Sequence, residues 1–123
     1  MNLFGIIGLV FLGGGLGSLA RFGVGELALK MYKGDFPLGT LIANFTACLV
    51  LGLTIYLFKE KLTQSEWIKY LVLIGFCGGF STFSTFSHET LKLFQEHLYT
   101  LGILNIVISL ILGIGILMVL VKS

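Results

Sequence analysis

Residues 75–87 read GFCGGFSTFSTFS: two adjacent glycines, then hydroxyl side chains interleaved with phenylalanines. The segment closes an uncharged run of 18 residues from Tyr70 to Ser87. Each glycine weakens a helix by about 1 kcal/mol relative to alanine. Ser81, Thr82, Ser84, Thr85 and Ser87 then offer backbone groups partners other than their helical ones. The combination predicts a helix interrupted part-way along, the alternative being a kinked but continuous one.

The rest of the chain sets that interruption in a bilayer. Residues 1–20 carry no charge, nor do the 23 residues 36–58 or the 24 residues 98–121. A helix rising about 1.5 Å per residue needs about 20 apolar residues to cross about 30 Å of hydrocarbon. Four spans follow, near 3–25, 36–58, 68–95 and 98–121, in one four-helix transmembrane domain over 1–123. Charged residues make up 11% of the 123 and hydrophobic ones 56%, with a mean hydropathy of +1.01. That is too little polar surface to cover a soluble core. A net charge of +2 without a basic run leaves no footprint for nucleic acid. Neither an enzyme nor a disordered chain fits. The expected class is an all-α integral membrane protein, multi-pass in the cell membrane, with its third helix broken at mid-membrane.

No Lys or Arg precedes the first apolar run, so that run reads as a retained span rather than a signal peptide. Both termini then share a side with Lys59, Lys61, Lys69 and Lys122, facing Arg21, Lys30, Lys33 and Lys92 on the other. Orientation follows the excess of Lys and Arg, and this balance predicts insertion both ways up. Four short helices enclose little volume, so a second copy, inverted in the membrane, is the expected partner. The alternative is a weak one-way bias, with Arg21 embedded.

Small residues recur at helical spacing: Gly13, Gly17 and Gly25 around Arg21, then Gly39, Ala43 and Ala47. They suit close helix packing. Thr40, Asn44, Cys48 and Gly52 form a more polar stripe, as do Asn105, Ser109 and Gly113. A primary amide in hydrocarbon costs about 2–7 kcal/mol unless bonded. Asn44 and Asn105 therefore bond across helices or face water and a solute. Arg21 needs a carbonyl, an acid or an aqueous vestibule, or snorkels to the interface. Phe83 and Phe86, three apart, share a helical face among hydroxyls rather than aliphatics. A phenyl edge is electropositive and attracts an anion in the ring plane, which suggests a narrow anion path. Cys48 and Cys77 have no metal-ligand neighbours in sequence and read as inert thiols; His88 and His97 suit no metal site.

Three motifs carry a family resemblance: GGGLGSLARF at 13–22, GTLIANF at 39–45 and GFCGGFSTFSTF at 75–86. With them the chain resembles the Fluc fluoride channels, the CrcB family. The resemblance implies an antiparallel, dual-topology homodimer with two pores, passive fluoride export that lowers toxicity, and a central Na⁺ that is structural and not transported. Residue by residue, it implies ring-edge contacts to fluoride from Phe83 and Phe86 and a pore role for Asn44. It also implies backbone carbonyls of Gly78 and Ser81 on the Na⁺, a polar track at Asn105 and Ser109, and a vestibule with Arg21 and Glu89. Thr82, Ser84 and Thr85 become hydroxyl donors without separate roles. Ser81 stands where many relatives have Thr, and Ala47 where Gly is frequent.

Two other readings share the four-helix pattern. A small dual-topology multidrug exporter needs a buried acid in its first span, and residues 1–20 have none. A non-transporting assembly subunit would use the glycine stripes to bind a larger partner.

Overall fold

The computed structural model describes residues 1–121, apart from the Thr63 side chain; Lys122, counted in the charge balance, lies outside the described residues. The chain is helical, and four of its stretches are long and apolar enough to cross a membrane: Leu3–Met31, Leu38–Leu57, Glu66–Gln95 and Tyr99–Leu120. Helix α1 (Leu3–Met31) starts at Asn2, whose side chain accepts the Gly5 N–H at 2.8 Å. Its 29 residues exceed the expected span. At about 1.5 Å per residue the last turns, with Glu26 and Lys30, run past the hydrocarbon. Helix α2 (Leu38–Leu57) follows Pro37, and two short pieces, α3 (Lys61–Gln64) and α4 (Glu66–Ile68), fill the middle loop.

The third span changes form three times. Lys69–Phe76 is a π-helix, in which the Cys77 N–H reaches back five residues to the Val72 carbonyl. One α-turn, α5 (Cys77–Phe80), follows. Ser81 (φ −84°, ψ 154°) and Thr82 (φ −150°, ψ 121°) are extended, and α6 (Phe83–Gln95) resumes the helix. Nothing in the residue pattern announces the π-helix. Its wider coil is accommodated by glycine: a Cβ on Gly13 would collide with the Leu71 carbonyl and lie 2.9 Å from the Phe76 N, and one on Gly79 would meet the Gly14 carbonyl. The small stripe of α1 therefore serves backbone-to-backbone packing against the third span.

Phe80 anchors the end of α5. It is buried with Ala43 and Ala47 of α2, against Ala20 and Val24 of α1. Its ring lies 5.4 Å from that of Phe76. The chain then turns at His97, whose φ of 63° is left-handed, while Leu98 N–H bonds to the Leu93 carbonyl and His97 N–H to that of Phe94. Helix α7 (Tyr99–Leu120) runs back beside α2 and α6.

Candidate functional site

A continuous α-helix would give the Thr82 N–H to Gly78 and the Phe83 N–H to Gly79. The interruption frees those groups, and side chains from two other helices take up the Thr82 N–H and the Gly79 carbonyl. Asn44 of α2 places its Oδ1 2.8 Å from the Thr82 N–H, while its Nδ2 donates to the Thr82 carbonyl at 3.4 Å. Arg21 of α1 donates from Nε to the Gly79 carbonyl at 3.2 Å. Within the segment, the Ser81 hydroxyl donates to the Cys77 carbonyl at 2.9 Å. Thr82 caps α6, its Oγ1 accepting the Thr85 N–H at 3.2 Å. Thus Arg21 pairs with a carbonyl, and Asn44 bonds across helices while also reaching a cavity.

Two groups of backbone atoms remain open. Among the described residues, no donor engages the carbonyls of Gly78 and Ser81 outside the helical hydrogen bonding. Gly78 is exposed, and a Cβ there would meet nothing within 4 Å. On the other side, a helix start leaves its first N–H groups without intrahelical acceptors, here those of Phe83 and Ser84. A broken helix of this form offers oxygens to a cation and N–H groups to an anion.

Two cavities meet at the break. One, of about 300 Å³, is lined by Arg21, Glu26, Thr40, Thr82, Thr85 and Glu89 among others. The second, of about 250 Å³, is lined by Asn44, Cys48, Ser81, Thr82, Phe83, Phe86, Ser109 and Leu110. Thr82 belongs to both, so the cavities adjoin there. The Phe83 and Phe86 ring centroids are 6.1 Å apart, tilted by 41°. Phe83 is 80% exposed, turned away from its own chain. Glu89 Oε1 is buried and has no hydrogen-bond partner among the described residues.

The expected site residues divide accordingly. Arg21, Thr85 and Glu89 gather in the first cavity, and Asn44, Phe83, Phe86 and Ser109 in the second. Ser84 is exposed and lines neither, its hydroxyl 3.2 Å from Thr82 Oγ1. Asn105 is 1% exposed and lines neither cavity, its amide bonding to Thr90 and Ser109 across α6 and α7. Thr82 proves central, as cap, bonding partner of Asn44 and shared wall. Two residues were not anticipated here: Cys48 one turn below Asn44 in the second cavity, and buried Thr90. Cys48 already stood on the polar stripe with Asn44; Thr90 had no signal beyond its spacing of four from Phe86.

The chain matches the family described as "CrcB-like protein, Camphor Resistance (CrcB)" over residues 8–121. It is 48% identical over 107 residues to a fluoride-specific ion channel FluC of Pyrococcus abyssi, covering 86% of this chain and 85% of that one. A FluC of Coxiella burnetii is 41% identical over 108 residues, 87% of each chain. One of Magnetococcus marinus is 42% identical over 103 residues, 84% of each.

Proposed function

Since this chain belongs to the CrcB family, we propose that it is a fluoride-specific channel, passive and assembled from two copies in opposite orientations. The observation that carries this is the Ser81–Thr82 break, set between two adjoining cavities with Phe83 and Phe86 on the wall. Fluoride is small and tightly hydrated, so a path for it must replace water with close donors. The open N–H groups at the start of α6 lie at the positive end of a helix dipole. The ring edges of Phe83 and Phe86 add an electropositive lining. The Ser84 and Thr85 hydroxyls in the same turn and the second Asn44 amide proton from α2 are further donors beside the break. Arg21 shares the first cavity with Glu26 and Glu89, the mixed-charge vestibule through which an anion would reach the break.

Phe83 supports the second copy. A phenyl ring 80% exposed beside hydroxyls on its own chain acquires a second wall when another chain packs over it. The same holds for the Gly78 and Ser81 carbonyls. Two hard oxygens per chain, doubled by a two-fold axis, suit Na⁺. These carbonyls, without a donor outside the helical hydrogen bonding among the described residues, are the ones the family resemblance implies as ligands. Bound there, Na⁺ supplies positive charge that ties together the two breaks. This chain's own contribution is to hold the carbonyls free, Gly78 by diverting the Thr82 N–H to Asn44 and Ser81 by diverting the Thr85 N–H to Thr82 Oγ1.

No nucleotide motif or coupled proton carrier is needed. Hydrogen fluoride enters cells neutral and ionises, and an open path with the interior negative drains the anion. Liposomes carrying the purified protein and a fluoride electrode test the proposal. Fluoride efflux without chloride efflux is expected, and Phe83→Ile should abolish it while the dimer persists. Absence of fluoride flux from the wild-type protein overturns the function; unaltered flux in Phe83→Ile overturns the ring-edge role. Exchanging Na⁺ for a larger cation during purification should weaken the dimer or stop conduction, and indifference removes the sodium.

A further inference from the structure

Behind the wall of the second cavity, four residues are joined in one directed chain of hydrogen bonds. The Thr90 hydroxyl donates to the Phe86 carbonyl at 2.7 Å. Having given its proton there, it can only accept from Asn105, whose Nδ2 lies 2.8 Å away. That contact fixes which end of the amide faces Thr90, so Oδ1 faces Ser109 and accepts its hydroxyl at 3.4 Å. Each direction is dictated by the one before it. Thr90 is 7% exposed and Asn105 1%, and neither lines a cavity, whereas Phe86 and Ser109 at the two ends both do.

We propose that Thr90 and Asn105 are positioning residues for the ion path, holding Phe86 and Ser109 in register from behind the wall. The inference rests on the channel function stated above. Their link ties α6, which carries both phenyl rings, to α7 through Thr90, one turn beyond Phe86. The same chain draws the Ser109 proton toward Asn105, so Ser109 presents mainly lone pairs to the cavity. An anion then finds its donors at the start of α6 rather than on α7. A hydroxyl bonded four residues back along its helix also bends that helix slightly, which sets the direction in which Phe86 is presented.

The test compares Thr90→Val, Thr90→Ser, Asn105→Leu, Ser109→Ala and the Thr90→Val/Asn105→Leu double variant with the wild type. Fluoride efflux from liposomes and SDS-titrated unfolding are read on each. Thr90→Val and Asn105→Leu should each cut flux at least about tenfold: the first strands the buried Asn105 amide, and the second removes the α7 partner of a Thr90 hydroxyl that still donates to Phe86. Thr90→Ser, which keeps the hydroxyl, should stay within about twofold of wild type, and Ser109→Ala should lose less than Thr90→Val despite lining the cavity. The double variant removes both buried partners together, a change that leaves stability nearly neutral. It should therefore recover stability while flux stays low. If flux instead recovers with stability in the double variant, the two residues are structural only and the proposal fails. It also fails if Thr90→Val conducts like the wild type. Should Thr90→Val not assemble, Thr90→Cys, a weaker donor of similar size, carries the same expectation. A wild-type protein that passes no fluoride overturns the channel function instead, and the stability coupling of Thr90 with Asn105 is still decided by the unfolding series.

Discussion

Asn44→Ala is the perturbation that separates bracing the break from merely lining a cavity. The side chain makes one good bond, Oδ1 to the Thr82 N–H at 2.8 Å, and one long contact, Nδ2 to the Thr82 carbonyl at 3.4 Å. The carbonyl has a second source of donors, because a capping residue's C=O already accepts the first bond of its helix. The N–H has none while the break stays open. Removing Asn44 therefore leaves one part-buried amide proton without its partner, at up to about 1–3 kcal/mol, with a small addition for the long contact. A loss of about 2 kcal/mol is a factor of about 30 in the balance between this backbone and its competitors. The nearest competitor returns the Thr82 N–H to the Gly78 carbonyl, which lengthens α5 and removes an oxygen from the open set. SDS-titrated unfolding should show the loss directly. Fluoride efflux measured with an electrode should fall at least about tenfold, and dependence on Na⁺ should weaken in parallel. A variant whose stability stays within about 0.5 kcal/mol of wild type would refute the bracing role, whatever its flux.

Three further outcomes are expected. Gly17→Ala drives a Cβ against the Phe76 carbonyl and to 2.8 Å from the Phe80 N, so it should destabilise by about 1–3 kcal/mol in SDS-titrated unfolding. Gly15→Ala, where a Cβ meets nothing within 4 Å, should be neutral or stabilise by up to about 1 kcal/mol; equal effects would contradict the packing described for α1. His97→Gly relieves a left-handed residue with φ 63° and should raise the thermal midpoint, by the equivalent of about 1 kcal/mol, less whatever the His97 Nδ1 to Tyr99 hydroxyl bond of 3.0 Å contributes. Ser81→Ala deletes a hydroxyl that, among the described residues, bonds to the Cys77 carbonyl alone and leaves the Ser81 carbonyl in place. Dimer retention in Na⁺ should survive it, and loss of that retention would assign the ion to the hydroxyl instead.

The four spans and the break were legible because they rest on composition and on hydroxyl chemistry, which a linear sequence carries. The position of the break was less so. Gly78 and Gly79 suggest the weak point, yet both remain helical, and Gly79 is used for close approach to Gly14. The chain opens two residues later, where α2 brings an amide opposite Thr82 and α1 an arginine opposite Gly79. Register between helices, not propensity within one, chose the place.

The two asparagines make the same point. Each is a lone amide in an apolar span, and the sequence offers no means of telling them apart. Packing assigns Asn44 to a freed backbone group at a cavity and Asn105 to a buried hydroxyl behind one. Thr90 sits in the amphipathic α6, where a hydroxyl reads as solvated until α7 covers it. A common constraint lies beneath these placements. Opening a helix within hydrocarbon exposes the polar groups an ion requires, but every group the ion does not use must be satisfied from elsewhere. The polar side chains of α1 and α2 meet that demand first, and what they leave unpaired at Gly78, Ser81 and the start of α6 is the surface available to ions.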